Sequence, residues 1–114
     1  MAIDKNLMSG STTLLVLSLL ETKDQYGYEM IRELERKSEK VFALKEGTLY
    51  PILHKLENDG MITSYEKEST AGKRRKYYSL TKEGKKLLAA KKQEWLVFSQ
   101  KVNQVIGGEV NAFI

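Results

Sequence analysis

The order in which helical and strand-like patterns follow one another is the feature that most limits the fold of this chain. Apolar residues recur with a helical period in three successive segments, and a fourth, longer helical segment comes near the end of the sequence. Between the third and fourth segments lie two stretches rich in β-branched and aromatic residues, joined by turn formers, which is typical of a β-hairpin with a long basic tip. The helical segments cover about residues 6–21, 26–38, 48–58 and 82–106, and the strands about 61–67 and 76–80. Three helices followed by a two-stranded hairpin predict a winged helix-turn-helix, a mainly α fold with a small β-hairpin and here a long C-terminal helix.

Several residues mark the expected boundaries of these elements. Asp24 is a candidate N-cap for the second helix, and Thr81 is a candidate N-cap for the last one. Gly60 suits the left-handed C-cap of the third helix, and Gly107-Gly108 ends the fourth.

The third helical segment contains the single proline of the chain, Pro51. Proline lacks a backbone N–H and its ring crowds the carbonyl four residues earlier, so it fits best in the first turn of a helix. If Thr48 caps the helix, Pro51 is its third residue; if the helix begins at Lys45 or Glu46, Pro51 must distort its first turn. Both starts stay open from the sequence.

The same segment presents two different faces. Its apolar stripe consists of Leu49, Ile52, Leu53 and Leu56. The residues off the stripe can contact phosphates or base edges, as the N-terminal end of a recognition helix does in the major groove. These candidate DNA-binding residues are Thr48, Tyr50, Pro51, His54 and Lys55. The alternative is that Tyr50 packs beneath the wing and His54 is an ordinary surface residue.

Positive charge is concentrated in one part of the chain. The formal net charge is +4, but residues 66–92 hold ten Lys or Arg against three acidic residues, and the remainder is net negative. This uneven distribution suggests a polyanionic partner, although a solvated basic face is the alternative. Four consecutive cations lie at the hairpin tip: Lys73, Arg74, Arg75 and Lys76. Because strand residues alternate between faces, about two of them are expected to reach phosphate or a narrow minor groove. The alternative is that the four only increase solubility.

The last helical segment carries an apolar seam that a small three-helix core cannot cover. Trp95, Phe98, Val102 and Val105 follow one another at heptad-like steps. A seam of this size normally has a partner, so it predicts a homodimer. Two such helices around a two-fold axis would hold two recognition helices about one DNA turn apart, roughly 34 Å, which implies a palindromic operator.

Length and composition limit the remaining classes. The 114 residues fit one compact unit: we expect a winged helix-turn-helix DNA-binding domain over residues 1–81 with the wing at about 61–81, a dimerisation helix over 82–106, and a flexible tail over 107–114.

The absence of cysteine excludes disulfides, thiolate nucleophiles and Cys-type zinc sites. With one histidine, no phosphate-cradling glycine loop and no carboxylate cluster at metal-ligand spacing, we expect no enzyme activity, no cofactor and no metal. The longest apolar run, 14–20, is too short to span a membrane, and no signal peptide pattern precedes it, so we expect a cytoplasmic protein, nucleoid-associated when bound to DNA.

The chain resembles the PadR family of bacterial transcriptional regulators. The resemblance spans about residues 7–106 and depends on LMSGSTTLLVLSLL, YGYEMIREL, GTLYPILHKLENDGMI, GKRRKYYSLTKEGKKLL and Trp95. It implies a dimeric repressor in which the last helix forms most of the dimer. One departure is Lys45, where relatives often have a serine cap, so the start of the third helix stays open.

The resemblance also implies a second role for Trp95. In multidrug-binding relatives a tryptophan on this helix lines a pocket at the dimer interface and stacks on flat aromatic ligands. Phe98, Leu7 and Met8 are the expected neighbours of such a ligand. The alternative is that Trp95 only fills the seam between two copies.

Two hypotheses therefore come from the sequence. The first is a homodimeric, sequence-specific DNA-binding repressor that a small aromatic or cationic effector relieves. The second is a winged-helix protein-interaction module without specific DNA binding, which uses the Trp95 seam to bind another chain.

Overall fold

The computed structural model describes residues 3–107, and it confirms a mainly α winged helix-turn-helix with a small antiparallel sheet and a long C-terminal helix. The five helices described are α1 (Lys5–Ser9), α2 (Thr12–Thr22), α3 (Gly27–Lys37), α4 (Glu46–Asn58) and α5 (Lys82–Ile106). The strands are β1 (Gln25–Tyr26), β2 (Ile62–Glu68) and β3 (Arg74–Leu80). The sheet order is β1-β3-β2, and both pairings are antiparallel.

The core lies between α2, α3, α4 and the base of the sheet. The side chains of Leu17, Met30, Leu49, Leu53 and Ile62 are almost fully buried there. The apolar periodicity of α3 and α4 therefore identified their buried faces correctly.

The prediction of one continuous first helix over 6–21 is wrong. The structure divides it into α1 and α2 at Gly10-Ser11, with Gly10 as the C-cap of α1. Glycine and serine are weak helix formers, and Asp4 starts a separate helix by accepting a hydrogen bond from the Asn6 amide at 2.8 Å. The two helices also differ in packing, since α1 buries none of its residues and α2 buries five.

The two-stranded sheet predicted from the sequence is incomplete. β1 adds a third strand, with Gln25 opposite Tyr78 and Tyr26 opposite Tyr77. Two residues are too few to show a strand periodicity, so sequence reasoning placed Tyr26 at the start of the second helix. The predicted N-cap role of Asp24 is also wrong: Tyr26 occupies the N-cap position of α3, and Asp24 accepts a hydrogen bond from the Tyr65 hydroxyl at 2.6 Å.

α4 begins at the earlier of the two starts that the sequence left open. Lys45 is its N-cap, without a side-chain capping bond, so Thr48 is not the cap and Pro51 is the sixth helical residue. The first turn is tightened, because the Lys45 carbonyl accepts from both the Thr48 and the Leu49 amides, at 3.0 and 2.9 Å. Because Pro51 has no backbone N–H, the Gly47 carbonyl four residues earlier has no amide donor from the helix at that position.

α5 starts against the sheet and then projects from the domain. Thr81 is its N-cap, as predicted, and accepts from the Gly84 amide at 3.0 Å. Gly107 ends the helix in the left-handed conformation, also as predicted. The helix is 25 residues long, and the molecule measures 53 × 31 × 25 Å because its second half extends past the core. Residues 108–114 of the predicted tail lie outside the described residues.

Candidate nucleic-acid interface

α4 exposes one polar ridge opposite its buried stripe. Four exposed residues lie on one side of the helix, because they are spaced three or four residues apart or are adjacent: Thr48, Pro51, His54 and Lys55. Leu49, Leu53 and Leu56 are buried on the opposite side. Lys55 also contacts Asp59 at 3.0 Å, an exposed ion pair that contributes little to stability and can exchange for another anion.

Tyr50 lies at the edge of this ridge. Its side chain is 40% exposed, and its ring packs on Gly27 at the start of α3, where a Cβ atom would overlap the Tyr50 hydroxyl. The same ring borders a cleft that Arg74, Arg75 and Lys76 also line. Tyr50 is therefore partly packed between α3 and the wing, with its hydroxyl end against Gly27.

The four basic residues of the wing divide between two faces. Lys73 lies in the turn at the tip, next to Gly72, whose φ of +82° is easily adopted by glycine. Arg74 Nε contacts Glu66 Oε1 at 2.9 Å, and Lys76 Nζ lies 3.8 Å from Glu57 Oε1. Arg75 lies between them in the strand, and its guanidinium stacks over the Tyr26 ring at 4.5 Å.

Sequence reasoning missed Glu57 as a residue of this interface. Its carboxylate lies on α4 and contacts both strands of the wing, through Ser64 on β2 and Lys76 on β3. No local pattern marks this role, because the three residues meet only once α4 packs against the sheet. The contact holds α4 and the wing in one arrangement.

Beneath this interface, Tyr78 is 5% exposed. Burial raises the pKa of its hydroxyl, and the charge of Glu57 and the nearby Tyr50 raise it further. The ring therefore stays neutral and forms part of the apolar support below α4.

A second candidate site is a cleft of about 500 Å³ between α5 and the segment formed by α1 and α2. Trp95 and Phe98 line it, with ring centroids 6.0 Å apart, and Leu7 faces them from α1. Met8 packs against the hydrophobic core and does not line this cleft, and its place beside a ligand at a dimer interface stays a prediction. The other lining residues are Asn6, Gly10, Ser11, Thr13, Leu14, Lys91 and Glu94.

The apolar seam of α5 is uncovered in the single chain. Trp95 is 46% exposed, Phe98 56%, Val102 37% and Val105 85%. The seam continues the side of α5 that is buried against the domain at Gly84 and Leu88. Sequence reasoning missed three further exposed apolar residues of α5, Leu96, Val97 and Ile106, because they lie off the heptad-like steps.

Two classes of site find no support in the part of the chain described. Over residues 3–107, no three His, Asp or Glu side chains come together as a metal site requires. In the same range, no helix combines the length and the apolar character needed to cross a lipid bilayer.

An exposed polar helix face beside a cationic hairpin is the arrangement of a winged helix-turn-helix DNA-binding protein. The family model described as "Transcriptional regulator PadR-like family" matches residues 16–90. The chain therefore belongs to the PadR-like family of transcriptional regulators, which confirms the resemblance seen in the sequence.

Three relatives are similar to this chain over most of both lengths. A transcriptional regulator from Clostridium thermocellum is 36% identical, with a TM-score of 0.81, over 90% of this chain and 96% of that one. A PadR family transcription regulator from Clostridium difficile is 44% identical, with a TM-score of 0.73, over 85% of this chain and 99% of that one. Transcriptional regulator Rv3488 of Mycobacterium tuberculosis is 29% identical over 105 residues, which is 92% of each protein.

Proposed function

We propose that this PadR-family regulator is a homodimeric repressor that binds a palindromic operator in the cytoplasm. α4 enters the major groove, and the wing lies against the flanking backbone or minor groove. The observation that carries the proposal is the position of the wing beside the exposed ridge of α4, fixed through the contact of Lys76 with Glu57 at 3.8 Å. Thr48, Tyr50, Pro51, His54 and Lys55 would face the groove, and the cations at the tip of the wing would face the backbone.

The dimer is proposed from the uncovered half of α5. Trp95, Phe98, Val102 and Val105 form an apolar strip that continues a buried one, and such a strip normally packs on a partner. A second copy supplies the same strip, as a two-fold interface requires. In this proposal residues 1–81 read DNA, and residues 82–106 join the copies.

The effector is proposed from the cleft beside this seam. A volume of about 500 Å³ fits a drug-sized molecule, and the Trp95 and Phe98 rings offer faces on which a flat aromatic group can stack. The same ring faces can also hold a cationic group, and the lining residues Glu94 and Lys91 supply one charge of each sign. Because the cleft joins α5 to α2, occupancy would act by changing the spacing of the two recognition helices.

Selection of duplexes from a random library, followed by binding measurements over a range of salt concentrations, tests this function. Lys73→Ala should lower affinity for all duplexes alike and reduce the salt slope by about 0.9, because one phosphate contact is lost. Tyr50→Ala should also weaken discrimination between duplexes. Lys37→Ala is the matched control. Lys37 ends α3, and it lies roughly 15 Å along that helix from Gly27, the residue that contacts Tyr50.

The alternative function, a protein-interaction module without specific DNA binding, predicts a different result. No duplex would be enriched, and affinity for any duplex would be weak and equal. That outcome would reject the repressor proposal. A chain that stays monomeric at working concentration would reject the dimer.

A further inference from the structure

The outer half of the wing has little support from the rest of the sheet. β1 pairs only with Tyr77 and Tyr78 of β3, so residues 74–76 have a partner strand on one side only. A two-stranded ribbon is marginally stable by itself and can twist. The angle at which the wing meets DNA therefore depends on side chains that tie this ribbon to the domain.

Arg75 makes such a tie on the outer face of the sheet. Its guanidinium carbon lies 4.5 Å from the centroid of the Tyr26 ring, and its side chain is partly buried while those of Arg74 and Lys76 are exposed. The Arg75 Nε atom is buried without a hydrogen-bond partner among the described residues, so the aromatic face is its main contact. Tyr26 precedes α3 directly, which connects the ribbon to the helical domain.

A stack of tyrosines holds the ring that receives Arg75. Tyr26 meets Tyr77 edge-on at 5.4 Å, and Tyr65 stacks on Tyr77 at 5.8 Å. The Tyr65 hydroxyl in turn donates to Asp24, next to β1. Tyr26 is therefore held from the sheet side and offers a fixed surface for the guanidinium.

We propose that Arg75 is a positioning residue that sets the angle of the wing by stacking on Tyr26, and not a phosphate ligand. This inference rests on the proposed function, since it concerns how the wing meets DNA. The strand alternation places Arg75 on the face opposite Arg74 and Lys76, where its guanidinium lies over the Tyr26 ring. Lys73 and Arg74, at the tip, are the cations that reach the backbone.

The test compares the salt dependence of DNA binding for substitutions of a tip cation and of the stacked pair. Arg75→Ala should lower affinity for the selected duplex by about 3- to 10-fold, with an unchanged salt slope, since no phosphate contact is lost. Tyr26→Leu should have the same effect, although it removes no charge. Tyr26→Phe keeps the aromatic face and should bind as the unsubstituted protein does. Thermal unfolding of each variant shows whether the domain remains folded.

A double-substitution cycle completes the test. Arg75→Ala combined with Tyr26→Leu should bind no more weakly than either single variant, because both remove the same contact. A salt slope reduced by about 0.9 in Arg75→Ala, or independent losses that multiply in the double variant, would overturn the inference. If the unsubstituted protein binds no duplex, or Lys73→Ala leaves the slope unchanged, the proposed function itself fails.

Discussion

Replacing Gly84 by alanine should destabilise the protein although it improves the helix propensity of α5. Gly84 is buried in the first turn of α5, and a Cβ atom there would overlap the Met61 carbonyl oxygen. That oxygen cannot move freely, because it accepts from the Thr81 amide at 3.1 Å and from the Thr81 hydroxyl at 3.0 Å. The substitution therefore strains the junction between the wing and α5.

The magnitude follows from two opposing effects. Alanine gains about 1 kcal/mol over glycine inside a helix. Overpacking costs about 1–3 kcal/mol, and the upper end applies here because the blocking atom belongs to the backbone and accepts a hydrogen bond from the Thr81 amide worth about 1 kcal/mol. The free energy of unfolding should fall by about 2 kcal/mol, which corresponds to a melting temperature lower by about 10 °C.

Chemical and thermal unfolding at matched protein concentration measure this change, since a dimer would make stability depend on concentration. Gly47→Ala is the matched control: Gly47 also lies in the first turn of a helix, but nothing lies within 4 Å of the added Cβ. The control should be as stable as the unsubstituted protein or slightly more stable. A Gly84→Ala variant that gains stability as the control does would refute the reasoning.

Three further predictions concern α5, the turn after α3 and the buried tyrosine. Trp95→Ala should raise the dimer dissociation constant, measured by sedimentation equilibrium, by at least about 30-fold, because a central aromatic contact is lost. The circular dichroism spectrum should be unchanged. An unchanged dimer mass together with an unchanged ligand response would contradict the prediction. Lys40→Gly should raise the free energy of unfolding by about 0.5 kcal/mol. Lys40 has a φ of +67°, which costs an L-residue about 1–2 kcal/mol, and about half of the strain removed is offset by the larger conformational entropy of glycine in the unfolded chain. A variant that is less stable in urea unfolding would show that the turn is not strained. Because burial raises the pKa of Tyr78, the unfolded protein releases this proton first, so the contribution of Tyr78 to stability should be constant below about pH 10 and fall above it. Tyr78→Phe should reduce this fall in unfolding measurements between about pH 8 and pH 11, and an identical fall would reject the assignment.

The parts of the fold that follow from long-range periodicity were predictable. α3, α4, the hairpin and α5 all carry repeated apolar patterns over many residues, and the Thr81 cap has a recognisable local pattern. β1 was not predictable, since its two residues become a strand only because β3 lies beside them. The division between α1 and α2 was missed because apolar residues continue on both sides of Gly10.

The candidate site shows the same limit. The ridge of α4 could be predicted, because the residues that face away from a leucine stripe follow from the helical period alone. The partners of the wing could not: Glu57, Tyr26 and Tyr65 are distant in sequence from the cations and tyrosines that they contact. Roles in DNA contact for the predicted residues remain predictions until binding is measured.

The separation of the two faces of α4 has a consequence for how new targets could evolve. The four exposed residues lie on the side of α4 opposite the buried leucines that hold the helix in place; they are Thr48, Pro51, His54 and Lys55. If these residues contact the operator as proposed, substitutions at the four positions would change which operator is chosen while the scaffold keeps its stability. A lineage of duplicated copies could diversify its regulated genes by varying these few codons, and a laboratory library at the same positions could do so by design.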